Sequence, residues 1–354
     1  MEGVGLKEAL AIAARYTDPK AADRNLHVVV LRDGVVRATN HSSGCEIPCP
    51  TVAGIDLAVD CAALRKMVGA IGDGAKLAKG KGRKLTVTGA GVKYTLQAIP
   101  EANEPPFPKV PTGDWTGVTK EQMSALSQIA NVVDEKSSQA SFQGLRLTEH
   151  WCGAATTSTV AFAWISGLVS EGFTSPPAVF DDINAAAELC VSNHRLFVRG
   201  EKTGQVRWSL GLTADFPDES ISSALVDARA RDRTVVQIHL PDLALLCKQA
   251  SVVSDSKAHA FKLAFGDEHL TLEGKQGVAD FSGQVPIGSV SQATEAEKTV
   301  GINAAWLELH SDVVGSAGGD AYFVAVAGPT SPVMMWNSGA PVTIETLIMP
   351  MRLE

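Results

Sequence analysis

The sequence has 354 residues, of which 45% are hydrophobic, 20% charged and 6% aromatic. That length suits two or three domains with cores of their own, and the ordinary apolar fraction excludes a disordered chain. Lysine and arginine number 31 against 39 aspartates and glutamates, a net charge of −8, so the outer surface as a whole is not built to wrap a polyanion. The most apolar run, Val160 to Val169, is about half of the ~20 residues that a spanning helix needs, and Ser166 and Gly167 interrupt it. The N-terminal residues lack the basic flank and apolar run of a secretion signal. A cytoplasmic protein is expected.

In chain order, Leu6, Leu10, Ile12 and Ala13 recur at helical spacing over Leu6 to Tyr16. Two strands follow, His27 to Leu31 and Val35 to Thr39, joined by Arg32-Asp33-Gly34 with its Asp-Gly hairpin signature. Asp60 stands as an N-cap before a second helix, Cys61-Ala-Ala-Leu-Arg-Lys-Met-Val-Gly-Ala-Ile71. Strands then follow over Lys84 to Val87 and Lys93 to Ile99. Lys76, Lys79, Lys81, Arg83 and Lys84 crowd into nine residues, read either as a solvated loop after a helix or as a local basic face.

The order then repeats. A helix over Lys120 to Val133 carries Met123, Leu126, Ile129, Ala130 and Val133 on one stripe. Strands at Phe142 to Thr148 and Trp151 to Thr156 flank Glu149-His150. Asp181 offers a cap for a short, alanine-rich second helix, and Leu189 to Val191 with Arg207 to Leu212 form the closing strands. In the third passage the helix spans Pro241 to Val253, with Leu243, Leu246, Ala250 and Val253 on one side and proline in the first turn. Strands at Phe261 to Phe265 and His269 to Glu273 surround Gly266-Asp267-Glu268. Asn303 caps the second helix, and strands at Tyr322 to Val326 and Val342 to Ile348 close the passage.

The three cap positions, 60, 181 and 303, lie 121 and 122 residues apart. A period near a third of the chain is too long for a solenoid repeat of ~20–50 residues and fits three tandem α+β domains, each with two helices on antiparallel sheet. The Phe107-Pro108 and Phe216-Pro217 tails match, and proline there ends strand pairing. Boundaries are expected near Pro111–Trp115 and Ala224–Arg233, giving domains 1–113, 114–226 and 227–354.

Few residues suggest chemistry. Of Cys45, Cys49, Cys61, Cys152, Cys190 and Cys247, only the first two are close, and a structural zinc site wants a second pair. His41 beside Cys45 or Cys49 has no third group to orient it, and His194 and His239 are isolated. Between Gly72 and Lys84 the P-loop spacing fails, since Gly74 to Gly80 is too wide and Gly82 follows Lys81. No metal, cofactor or catalytic residue is expected.

The run Met349-Pro350-Met351-Arg352-Leu353 resembles the C-terminus of bacterial sliding clamps, the beta subunit of DNA polymerase III and its phage relatives. Phe216-Pro217-Asp218, Phe142-Gln143-Gly144 and Ala155-Thr156 agree with it. The resemblance implies a non-catalytic processivity factor, a head-to-tail homodimer closed into a six-domain ring around duplex DNA. It also implies a clamp loader, a polymerase and other proteins docking by short peptides. A ring that slides wants a basic lining within an acidic exterior. Arg15, Lys20, Arg24, Arg65, Lys66, Lys120, Lys136, Arg195 and Lys248 are the candidates for that lining. Phe142, Thr156, Pro217, Leu347, Met349, Pro350, Met351 and Arg352 fall on positions of the family's peptide pocket. There the chain departs from the family: Ala-Thr-Asp-Gly-His-Arg-Leu is replaced by Ala155-Thr-Thr-Ser-Thr-Val-Ala161, so Thr159 and Val160 stand for a His and an Arg. Altered peptide specificity is implied. A clamp-like hub or decoy without a part in replication is the competing reading.

Overall fold

The Asp-Gly turn of the first hairpin is formed in the computed structural model of the chain, with Asp33 and Gly34 at φ 54° and 75°. Both central residues are left-handed, as the twist of a tight hairpin requires. The structure describes residues 3–181, 183, 185–253, 260–276, 279–291 and 298–353, with only the backbone of 275, 276, 289 and 290.

The elements follow in order: α1 (Leu6–Ala13), β1 (Val28–Arg32), β2 (Val35–Thr39), β3 (Ser43–Pro48), β4 (Asp56–Asp60), α2 (Cys61–Ile71), β5 (Lys76–Gly80), β6 (Lys84–Gly89), β7 (Val92–Gln97) and β8 (Thr116–Val118). Next come α3 (Lys120–Ala130), β9 (Leu145–Leu147), β10 (Trp151–Ala155), β11 (Thr159–Trp164), β12 (Phe173–Ser175), β13 (Ala187–Ser192), β14 (Arg195–Gly200), β15 (Val206–Leu210) and α4 (Asp218–Ala230). The last are β16 (Thr234–Ile238), α5 (Leu240–Ser251), β17 (Phe261–Phe265), β18 (His269–Gln276), β19 (Ala279–Ser291), β20 (Thr299–Ile302), α6 (Ala304–Gly315), β21 (Ala321–Val326), β22 (Val333–Ser338) and β23 (Thr343–Ile348).

Two of the three predicted caps, Asp60 and Asn303, hold their helices. Asp60 accepts from the Ala63 amide at 2.7 Å, and Asn303 accepts from Ala305 and Trp306. Thr119 and Gln122 form a reciprocal capping box on α3.

The chain divides into two compact units, residues 1–118 with 185–211, and residues 119–184 with 212–354. The first has an eight-stranded sheet, β4-β1-β2-β3-β15-β14-β13-β8, and a three-stranded sheet, β5-β6-β7, joined only by antiparallel pairs. α1 packs on β2 and β3, and α2 packs on β6 and β7. One core takes Leu10 and Tyr16 from the first helical segment, Leu64 and Val68 from α2, and Val29, Ile47, Leu57, Leu85 and Val87 from strands. The proline-rich segment before β8 lays Phe107, Val110 and Trp115 over Trp208, with Phe107 edge-on to that ring at 6.1 Å.

The second unit has a twelve-stranded sheet, β12-β9-β10-β11-β23-β22-β21-β16-β19-β18-β17-β20. α5 and α6 pack together, α6 lies over β22 and β23, and α3 lies over β10 and β11. The apolar run that begins at Val160 is β11, buried on both faces, which is why it lacks alternation.

Several expectations are corrected. Asp181 ends the 3-10 turn Pro177–Phe180 instead of starting a helix, and the described residues after it are not helical; positions 182 and 184 lie outside the described residues, and Ala187 already opens β13. Ladder pairing of β13 with β8 and β14 outweighs the propensity of three alanines, since so short a helix is marginal alone. β14 lies between the two strands expected to pair at Leu189 and Arg207, and β22 lies between β21 and β23. The lysine cluster is the hairpin β5–β6 and its turn rather than a loop. Ala224 to Ala230, read as a boundary, is the second half of α4.

Candidate functional site

The pocket residues sit where β11, β23 and α4 meet in the second unit. Val160 lies directly opposite Leu347 and Thr159 opposite Ile348 in the antiparallel ladder. Side chains alternate along each strand, so Val160, Phe162 and Leu347 share one face while Ala161, Thr346 and Ile348 face the other way. On the first face they join Ala155, Phe216, Ile221, Leu225, Ala228, Ala325 and Met334 in one cluster, with Phe142 and Trp151 packed at its margin. Trp151 meets Phe162 edge-on at 5.1 Å.

The turn before β11 is held by hydroxyls. Thr156 Oγ1 accepts from the Ser158 and Thr159 amides at 3.1 and 3.0 Å and lies 3.2 Å from Thr159 Oγ1. Of this turn and the strand after it, Thr159 and Val160 stand at the positions where an imidazole and a guanidinium were expected from the resemblance. Past β23, the Met349 amide donates to the Ser158 carbonyl at 2.8 Å, bringing the C-terminal run to the same turn. Met349, Pro350 and Met351 are half-buried and Arg352 is exposed. The Met351 amide continues to the Gly301 carbonyl on β20 at 2.8 Å, so the end of the run leaves the Val160–Leu347 cluster. Pro217 immediately precedes α4 and its carbonyl accepts from the Ile221 amide.

The structure thus brings together Phe142, Val160 and Leu347, with Pro217 at the start of the covering helix, while Thr156, Thr159 and Met349 belong to the adjoining turn, and Thr159 faces the opposite side of the sheet with Ile348. Sequence reasoning missed that helix. Its signal was present, since Ile221, Leu225 and Ala228 recur at i, i+4 and i+7 directly after Phe216-Pro217-Asp218. Also missed was the polar end of the same face. Glu345, only 8% exposed, pairs with Arg229 of α4 and accepts from Trp164 Nε1 at 3.0 Å. Arg233 lies over the Trp336 ring, 5.2 Å from its centroid, and burial pulls its guanidinium below the ordinary value, against the opposing charge of Glu345.

The candidate DNA-facing residues are mostly on or beside helices. Arg65 and Lys66 are exposed on α2, Lys120 on α3 and Lys248 on α5. Arg15, Lys20 and Arg24 are exposed in the turns after α1, and Lys136 is exposed beyond α3. Arg195 differs, being half-buried at the start of β14. A groove of about 580 Å³ between α3, α5 and α6 is lined by Gln128, His239, Pro241, Asp312 and Tyr322 among others, and no lysine or arginine contributes to its wall.

All six cysteines are buried thiols, and burial pushes Cys152 up to about 12. Among the described residues no cluster of three or more His, Cys, Asp or Glu could hold a metal ion, and no helix is long and apolar enough to cross a membrane.

By sequence, the chain matches no family model and no curated protein. By structure it is similar along nearly its whole length to solved proteins. A putative DNA polymerase III beta subunit from Eubacterium rectale has a TM-score of 0.79 at 12% identity, covering 99% of this chain and 98% of that one. The DNA polymerase III beta subunit of Thermotoga maritima gives 0.78 at 15%, covering 99% and 98%. The DNA polymerase sliding clamp of Bacillus subtilis gives 0.79 at 11%, covering 99% and 97%. Antiparallel sheets backed by few helices, matched end to end by these structures, give the chain the α+β fold of the DNA polymerase III beta-subunit sliding clamps.

Proposed function

We propose that the protein is a DNA sliding clamp, a non-catalytic ring that encircles duplex DNA and tethers a polymerase and other proteins through the Val160–Leu347 pocket. The observation that carries this reading is the end-to-end clamp fold, supported by Val160 and Leu347 lying directly opposite each other on one face with Phe142 packed at its margin. Three tandem domains, 1–113, 114–226 and 227–354, would repeat twice around a head-to-tail homodimer. A heterologous interface whose rotation closes gives a ring rather than a filament. Its place is the cytoplasm, on the nucleoid or in a phage-infected host, where a clamp loader would open it.

The exposed cations Arg15, Lys20, Arg24, Arg65, Lys66, Lys120, Lys136 and Lys248, with Arg195, would face the phosphates. Loose, sequence-independent attraction is what a sliding ring needs. The pocket, with Thr159 and Val160 in place of imidazole and guanidinium, would prefer apolar over acidic peptide ends.

Sedimentation equilibrium across concentration and salt tests the ring. A stable species at twice 37.2 kDa is expected. A monomer persisting at micromolar concentration would sink the self-closing ring. Processive synthesis by the cognate polymerase, with and without the protein, then separates a replication clamp from a peptide-binding hub or decoy.

A further inference from the structure

Lys76, Lys79, Lys81, Arg83, Lys84 and Lys93 are six of the chain's 31 cations. Residues 74–100, which hold them, include no aspartate or glutamate, although the net charge of the chain is −8. In the first unit this stretch is the three-stranded sheet β5-β6-β7. One side of the sheet, with Leu77, Leu85, Val87, Tyr94 and Leu96, closes the core. The other side carries three cross-strand rows, Lys76–Thr88–Lys93, Ala78–Thr86–Thr95 and Gly80–Lys84–Gln97. Lys76, Lys84 and Lys93 are exposed there, and Lys81 is exposed in the turn beyond. Among the described residues, the lysines held in ion pairs are Lys262 and Lys298, so this face keeps its charge for a partner. We infer that the outer face of β5-β6-β7 binds duplex DNA by its phosphate backbone, a sequence-independent contact separate from the cations proposed to line a ring.

Spacing and chemistry select that partner. Strands stand ~4.8 Å apart and rise ~3.3 Å per residue, which puts Lys76 and Lys93 about 10 Å apart and Lys84 about 13 Å along β6 from their row. Lysines at that spacing reach phosphates on both rims of a major groove ~12 Å wide. The hydroxyls of Thr86, Thr88 and Thr95 lie between them and suit phosphate and sugar oxygens. The Gln97 amide does not read bases, because its Nε2 is spent on the Gly82 and Arg83 carbonyls at 3.3 and 3.2 Å.

Other uses of the face fit less well. Lysines guard sheet edges against strand pairing. Lys76 and Lys93 do stand on the edge strands, but Lys84 is on the central strand and Lys81 is in a turn, where no edge needs guarding. An acidic peptide needs an apolar anchor, and Ala78 is the only apolar side chain in the three rows. A single strand needs an aromatic platform, and Tyr94, the one aromatic residue of the stretch, packs against the core.

The face is also preformed. Gly82 and Arg83 turn the β5–β6 hairpin at φ 69° and 56°. The Arg83 carbonyl accepts from the Ala98 amide at 2.9 Å, and Arg83 Nη2 donates to the Ile99 carbonyl at 2.9 Å, which ties the tip to the chain leaving β7. The backbone under the lysines is ordered before DNA arrives, and that cost is removed from binding.

The test is fluorescence anisotropy of a fluorescein-labelled linear duplex of about 20 base pairs against the full chain, from about 50 to 200 mM KCl. A Lys76→Gln, Lys81→Gln, Lys84→Gln variant should bind at least about tenfold more weakly at the lowest salt, with the salt slope shallower by about 2–3. Duplexes of unrelated sequence should agree within about threefold, and an oligo-dT of equal length should bind no more tightly. A variant within about twofold of wild type, a tighter single strand, or poly-glutamate that competes as well as unlabelled duplex would overturn the inference.

Lysine acetylation of the wild-type protein, read by mass spectrometry with and without the duplex, places the contact without any substitution. Lys76, Lys81, Lys84 and Lys93 should react at least about threefold more slowly with DNA bound. Protection confined to Lys66, Lys120, Lys136 and Lys248 would overturn the inference and leave the ring standing. This contact needs neither a closed ring nor the peptide pocket, so a monomer in sedimentation would remove the ring and leave the face.

Discussion

His310 on α6 makes the stability of the second unit depend on pH. The imidazole is completely buried, and neither ring nitrogen has a hydrogen-bond partner among the described residues. Burial pushes its pKa down to about 3. An unfolded histidine titrates near ~6.5, so between about pH 6.5 and 3 the unfolded chain binds a proton that the folded chain refuses. Folding stability contributed by this group is full above the unfolded pKa and is lost as pH falls, by about 1.4 kcal/mol per pH unit. At pH 5 the loss amounts to about 2 kcal/mol. Carboxylates titrate in the same range, and the half-buried Glu46, its pKa raised by desolvation, acts with the opposite sign. Comparison with His310→Leu removes these shared contributions. Urea unfolding followed by circular dichroism at pH 7.5 and pH 5 should show the variant within about 1 kcal/mol of wild type at the higher pH, since it removes two unsatisfied polar atoms along with the ring. At pH 5 the variant should have gained about 2 kcal/mol on wild type. An equal difference at both pH values would refute the reasoning, because it would mean that His310 takes up its proton in the folded state.

Asn337 is buried and donates from Nδ2 to the Gly318 and Val342 carbonyls at 3.1 and 2.9 Å, while its Oδ1 accepts from the Ile344 amide at 2.8 Å. Asn337→Ala orphans all three backbone groups and should cost about 3 kcal/mol, read as a lower urea midpoint with an unchanged slope. Leu347→Ala removes a wholly buried side chain from the cluster it forms with Val160 and should cost about 2–5 kcal/mol by the same measurement. A Cβ at Gly44 would overlap the Trp208 ring, so Gly44→Ala should lower the melting temperature of the first unit by several degrees while leaving exchange protection in β11 and β23 intact. Asp60→Ala removes the α2 cap and should cost about 1 kcal/mol, a loss that Asp60→Ser largely restores.

Signals local to a few residues were read correctly in the sequence. The Asp33-Gly34 turn, the Asp60 and Asn303 caps and the paired strands around Gly266-Asp267-Glu268 each depend on backbone geometry within a few positions. The Met349-Pro350-Met351-Arg352 run and the Phe216-Pro217 tail pointed to the pocket by resemblance, and the β11–β23 ladder places Val160 beside Leu347. α4 went unread because its stripe is short, its caps are missing and two serines dilute it; contact with Leu347 and Glu345 holds it in place.

What the sequence determined by itself, then, is the acidic balance, the Asp33-Gly34 hairpin, the Asp60 and Asn303 caps and the helices they start, because propensity, capping and turn chemistry act within one or two turns of chain. Tertiary structure alone decided which strands become neighbours. β3 joins β15 and β11 joins β23, so strands of the middle passage complete sheets begun or ended elsewhere in the chain. It also decided that α4 packs on the Val160–Leu347 face and that Ala187 opens a strand instead of continuing a helix. Each of these outcomes is set by burial and ladder pairing between residues tens to hundreds of positions apart, a range over which local preference carries no information.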